Sequence, residues 1–296
     1  MKIGGGGRSA NLEDRRGESP RGFGMGGMGG RGMGLGAILF AAFMAIVFKA
    51  DFFSMLGLGQ AASRTIEQVQ PAPQQGPPQG VDDAAEEPMV RFVSGVLDDA
   101  QAFWATTLPA TMGAPYREAK LVLFRGLNQS GCGRADAAMG PFYCPLDEKV
   151  YIDLGFYDEL ERRFQAPGDF AQAYVLAHEI GHHVQTILGT SEKVQRLQQQ
   201  RPQIANQASV RLELQADCYA GAWGHSAAKR GLLEPGDVEE GLRAAAAIGD
   251  DNIQRQTQGR VAPESFTHGS SEQRIAWFRR GLETGDPRQC DTFAAR

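Results

Sequence analysis

His178, Glu179 and His182 stand in the order H-E-x-x-H, a spacing that can hold a metal ion. On an α-helix, positions four apart share one face, with side chains about 5–6 Å apart. The two imidazoles can therefore bind one Zn²⁺, and Glu179 projects beside them. Zinc lowers the pKa of a bound water from about 15.7 to about 7, and Glu179 can take the proton that this water gives up. A catalytic zinc takes three protein ligands and leaves one position open. Glu213 is the third ligand expected. Asp217, four residues further on, can accept a hydrogen bond from the non-ligating nitrogen of a zinc histidine. The competing readings are a buried helix with satisfied histidines and, for Glu213 and Asp217, a solvated helix face. The place of this pair one loop after H-E-x-x-H favours the metal site.

Two helices must position these groups. Residues 170–189 carry Tyr174, Val175, Ile180, Val184 and Ile187 at roughly helical spacing, with Asp169 at the start and Gly189 at the end. Gly181 sits inside, at a cost of about 1 kcal/mol against alanine. A close approach by another backbone would justify that cost. Residues 209–221 form the second helix, whose Ala216, Ala220 and Gly221 are small enough for tight packing on the first. Upstream, residues 90–107 read as a helix and residues 119–124 as a strand. Residues 148–154 read as a second strand, with Val150, Ile152 and Leu154 on one face. The remainder is mainly helical, which makes the fold class α+β. A sheet edge beside the active-site helix would offer a polypeptide substrate a strand to pair with.

The four cysteines, Cys132, Cys144, Cys218 and Cys290, lack the C-x-x-C spacing of a cysteine zinc site. An even number fits two disulfides in an oxidising compartment, Cys132 with Cys144 and Cys218 with Cys290. Four free buried thiols are the alternative. Residues 1–32, rich in Gly, Arg and Met, read as a disordered cytoplasmic tail. Residues 33–56 read as a single transmembrane anchor: Met33 to Phe48 spans roughly 25 Å, slightly short of a ~30 Å hydrocarbon core, and Phe52, Phe53, Met55 and Leu56 extend it at the interface. A cleaved signal peptide is the rival, but more than thirty residues precede the apolar run. Arg15, Arg16, Arg21 and Arg31 outnumber Lys49 and Arg64 across this segment, which puts the N-terminus in the cytoplasm and the later domain outside. Residues 57–88 are a Pro/Gln/acidic linker, and residues 89–296 suffice for one globular domain. A net charge of −5 gives no case for nucleic-acid binding.

The blocks GCGRADAAMGPFYCP, KVYIDLGF, HEIGHHVQ, ELQADCYAG, IGDD and SFTHGSSEQRIAWF resemble the neutral zinc metallopeptidase family of YpfJ-like proteins, from Arg91 to Phe293. The resemblance implies a zincin-like fold, a membrane-anchored bacterial protein with an extracytoplasmic domain, and a gluzincin-like site. Glu213 matches the third zinc ligand and Asp217 its supporting carboxylate. The stretch from Thr267 to Ile275 looks like the Thr-His-Pro…Arg-Ile segment of HtpX-like membrane metallopeptidases, with Gly269 in place of proline. By that likeness His268 would stabilise the oxyanion. Otherwise it is a structural hydrogen bonder beside a helix capped by Ser270 or Ser271. His183 points about 100° away from His182 and is not expected as a ligand. His225 is expected in packing, and Asp250 and Asp251 either cap a helix or brace the site.

The function expected is a zinc endopeptidase acting on peptide bonds outside the cytoplasmic membrane, with Glu179 and His268 as catalytic groups. A metal-stabilised binding or assembly protein and a metal-dependent cell-wall amidase are the alternatives. An intact Glu179 argues against the first, because a structural zinc has no use for a general base there. Nothing in the sequence marks a glycan groove.

Overall fold

The computed structural model describes residues 1–3, 6–18 and 83–294. The expected membrane segment, residues 33–56, lies outside them. Among the described residues no helix is long and apolar enough to cross a membrane.

The fold is α+β, a small sheet with a mostly helical remainder. The sheet has four strands: β1 (Leu12–Asp14), β2 (Lys120–Phe124), β6 (Lys149–Asp153) and β5 (Phe142–Cys144), in that spatial order. β1, β2 and β6 run parallel, and β5 is antiparallel to β6. A hairpin, β3 (Leu127–Ser130) with β4 (Gly133–Asp136), lies between β2 and β5 in the chain. Both sheet faces are buried. Leu121, Leu123, Val150 and Ile152 enter the main core with the helices. Val122, Phe124 and Tyr151 face Ala135 of the hairpin and Cys144. Sheet alternation thus sorts neighbouring apolar residues into two cores.

The helices are α1 (Asp83–Met112), α2 (Gly155–Arg162), α3 (Asp169–Ile187), α4 (Thr190–Gln200), α5 (Ala205–Lys229), α6 (Asp237–Ala247), α7 (Asp250–Gln258) and α8 (Ser271–Thr284). Gly181 of α3 meets α5 as its position suggests. A Cβ there would lie 3.1 Å from the Ala216 Cα and carbonyl oxygen. Gly221 serves a different contact from the one expected, because it faces Phe278 and Gly281 of α8 rather than α3. A side chain on Gly281 would overlap the Cys218 carbonyl. The helix of Glu213 is therefore held closely on both sides.

Two boundaries differ from the sequence reading. Residues 83–88, assigned to the linker by composition, open α1. Residues 12–14, assigned to a disordered tail, form β1, paired Leu12↔Leu121, Glu13↔Val122 and Asp14↔Leu123. A three-residue strand with two acids has no hydrophobic alternation to betray it. Its stability comes from a distant strand edge and from ion pairs such as Arg16 with Asp14 and Glu86.

Candidate metal centre and active-site cleft

α3 presents His178, Glu179 and His182, and α5 presents Glu213, at the floor of one cleft of about 1300 Å³, with Asp217 of α5 fully buried behind His178. His178 Nδ1 lies 2.9 Å from Asp217 Oδ1 and donates its proton there. His182 Nδ1 lies 2.8 Å from Gln185 Oε1. The Gln185 amide nitrogen donates to the Leu212 carbonyl at 2.7 Å, so Oε1 is the acceptor for His182. Both Nε2 atoms then point at one spot, 3.1 Å apart, where each can offer a lone pair to a metal that displaces any proton held there. Glu213 closes the group, at 3.2 Å from His178 Nε2 and 3.5 Å from His182 Nε2. Three acceptors converge, and such a group needs a cation. Ligands at about 2.0–2.1 Å from a tetrahedral zinc stand roughly 3.3 Å from one another, so these residues fit that ion.

Electrostatics agree. Burial disfavours a proton on His178, but Asp217 and Glu213 outweigh it and raise its pKa to about 9. Burial also opposes the charge on Glu213, yet the two imidazoles hold its carboxyl well below the usual range. Glu179 behaves differently. Burial pushes its pKa up, and the histidines recover only part of the shift. A carboxylate that binds its proton more readily than usual suits a group that must take one and then release it.

Three residues that the motif spacing does not mark support the group. Arg274 of α8 is buried and clasps Asp217, Nε to Oδ2 and Nη2 to Oδ1, both at 2.9 Å. The Tyr174 hydroxyl donates to Asp217 Oδ1 at 2.5 Å. Gln185, also buried, fixes His182. Tyr174 and Gln185 sit one turn before His178 and one turn after His182, so helical spacing offered a signal. Arg274 offered none beyond its place in the Thr267–Ile275 stretch.

His268 lines the same cleft. Its Nδ1 lies 3.1 Å from Asp250 Oδ1, while Asp250 Oδ2 accepts the backbone N–H groups of Thr267, His268 and Gly269 at 2.6, 2.6 and 3.0 Å. Asp250 thus shapes the loop and orients the ring. Asp251 accepts from the Ser271 N–H at 2.7 Å, and Ser270 caps α8 with Gln273 in a capping box. His183 is no part of the metal group. Its Nε2 donates to the Arg117 carbonyl at 2.7 Å, so its Nδ1 accepts from the Tyr143 hydroxyl at 3.0 Å. It ties α3 to strand β5. His225 bonds the Leu282 carbonyl at 2.7 Å and is structural.

Both expected disulfides are formed, Cys132–Cys144 and Cys218–Cys290, with Cα separations of 5.8 and 5.6 Å. The first ties the β3–β4 turn to the end of β5 at the cleft rim. The second holds the residue after Asp217 to the C-terminal segment.

A family model described as "Putative neutral zinc metallopeptidase" matches residues 1–293. The chain belongs to this family. Zn²⁺ is accordingly the cofactor. The chain is 47% identical over 287 residues to the uncharacterized protein YpfJ of Escherichia coli K12, covering 96% of each. It is 46% identical over 209 residues to an uncharacterized protein of Mycobacterium tuberculosis H37Rv, covering 67% of this chain and 68% of that one. No solved structure matches it significantly.

Proposed function

We propose that this member of the family is an active zinc endopeptidase that cleaves extended, unfolded polypeptide outside the cytoplasm. The observation that carries the proposal is the convergence of His178, His182 and Glu213 beside the buried Glu179 at the floor of an open cleft. Bound there, zinc supplies Lewis acidity toward the scissile carbonyl and a water acidified toward neutral pH. Glu179 accepts the proton of the attacking water and passes it to the leaving amine. Asp217, clasped by Arg274, keeps His178 in the Nδ1–H form, and Gln185 does the same for His182. His268, oriented by Asp250, donates to the developing oxyanion.

Strand β5 is an edge strand, paired with β6 on one side, and Phe142 and Tyr143 line the cleft. Its other edge can take a substrate backbone by strand addition, which gives affinity with little dependence on sequence. Met139, Phe142, Leu146, Phe156 and Phe164 form an apolar wall along the cleft. Leu146 in this wall is 77% exposed. This wall suits apolar side chains that only an unfolded protein displays. The two disulfides support an oxidising compartment, and the apolar run at residues 33–56 supports attachment to a membrane.

The test is cleavage of a reduced, denatured extracytoplasmic protein by the purified full chain, with products read by mass spectrometry. Cuts flanked by apolar residues, abolished by chelator and by Glu179→Gln, are expected. Equal cleavage by Glu179→Gln would refute the proposal.

A further inference from the structure

We infer that residues 1–18 and the catalytic domain lie on the same side of the membrane. The orientation expected from flanking charge separates them, with the N-terminus in the cytoplasm and the domain outside. β1 contradicts that separation, because it is a strand of the catalytic sheet.

The docking is extensive. Beyond the three paired residues, the Arg15 N–H donates to the Leu123 carbonyl at 2.8 Å, and the Leu121 N–H donates to the Asn11 carbonyl at 2.9 Å. Arg16 is buried, and its guanidinium bonds Asp14 at 2.8 and 2.7 Å and Glu86 of α1 at 2.5 Å. Lys149 of β6 reaches across to Glu13 at 2.7 Å. Asn11 bonds Glu118 at 2.8 Å, and the Ser9 hydroxyl donates to Asp98 of α1 at 2.5 Å. Ile3 packs where Gly95 of α1 leaves room, since a Cβ on Gly95 would lie 2.7 Å from Ile3 Cγ2. The segment therefore meets α1, β2 and β6, which form one body with the active site.

Hydrogen bonds of this length cannot be made across a hydrocarbon core about 30 Å thick. A chain that crossed once between residues 18 and 83 would leave β2 without its neighbour. It would also leave Glu86, Asp98 and Glu118 without the partners described. Residue 18 and residue 83 therefore stand on the same face, whichever face that is. The inference does not depend on zinc or on catalysis, so it can fail while the peptidase reading stands.

Accessibility in cells tests it directly. Gly7→Cys and Leu146→Cys are made separately in the full chain, whose own four cysteines are paired. Gly7 has no atom near its added Cβ, and Leu146 is exposed, so neither change disturbs packing. Intact cells are treated with a membrane-impermeant maleimide before and after permeabilisation. The same pattern at both sites is expected. Labelling of one site in intact cells, with the other reacting only after permeabilisation, would overturn the inference. A Ser9→Cys/Asp98→Cys double variant gives an independent readout. It should cross-link under oxidation in the membrane-bound protein, and a chain that never cross-links while both thiols remain alkylatable would also count against same-side docking.

Discussion

Arg274 holds Asp217 with a two-pronged contact, each nitrogen–oxygen distance 2.9 Å, in a site closed to solvent. Burial opposes a charge on Asp217, and Arg274 is the main group that keeps it ionised. With zinc held as proposed, the arginine would reach the metal through two steps, Asp217 and then His178. Lysine keeps the charge and loses the planar fork. Arg274→Lys should weaken zinc binding by about 10–100-fold, the usual loss when a ligand's support is removed. Arg274→Met should cost about 3–5 kcal/mol of stability, because it strands a buried carboxylate. Chelator competition and thermal melts measure both. Unchanged zinc affinity in Arg274→Lys would show that Asp217 needs no fork.

What was legible in the sequence follows from locality. His178, Glu179 and His182 lie within one helical turn or so, and Glu213 and Asp217 repeat that spacing, so each face could be read directly. The Gly181 contact was legible because a glycine inside a helix asks for a reason. Arg274 was hidden because its partner lies 57 positions away, and a lone arginine on a polar helix reads as solvated. β1 and β5 have three residues each, too few for an alternation to show. β1 was also masked by the Gly/Arg-rich run that follows it, whose composition coloured the whole of residues 1–32.

Gly181→Ala should destabilise despite its better helix propensity, worth about 1 kcal/mol. Its Cβ would press on the Ala216 backbone at 3.1 Å, and a backbone cannot swing aside. Overpacking costs typically about 1–3 kcal/mol, so the net effect is a lower Tm. Because Glu213 and Asp217 flank Ala216, zinc affinity should fall with it. A higher Tm would show that α3 and α5 are not in this contact.

Cys218→Ser/Cys290→Ser should lower both stability and zinc affinity. The bond closes a loop with a sequence separation of 72, for which chain entropy gives about 4 kcal/mol. Cys132→Ser/Cys144→Ser, with a separation of 12, should cost about 3 kcal/mol and leave zinc affinity near normal, because that bond sits at the cleft rim. Denaturant melts and metal titrations separate the two. Equal loss of zinc affinity in both pairs would contradict the assignment.

His268→Asn should lower kcat about 10²–10³-fold, the usual effect of losing an oxyanion donor, with zinc content unchanged. Burial opposes a proton on His268, but Asp250 and Glu213 overcome it, so its pKa is raised. A protonated donor is present below that pKa and lost above it. Asp250→Asn should therefore move the alkaline limb of the kcat profile to lower pH. An unmoved limb would mean that His268 does not donate in the rate-limiting step.

In the site proposed here, His178, His182 and Glu213 hold one zinc with a position left for reaction. Zinc content and zinc-edge X-ray absorption of the Glu179→Gln protein, which keeps every ligand, test it most directly. One zinc per chain is expected, with two imidazoles, oxygen donors and no sulfur, and with zinc lost in His178→Ala and in His182→Ala. Full zinc retention in both of those variants, or a sulfur ligand in the spectrum, would contradict it.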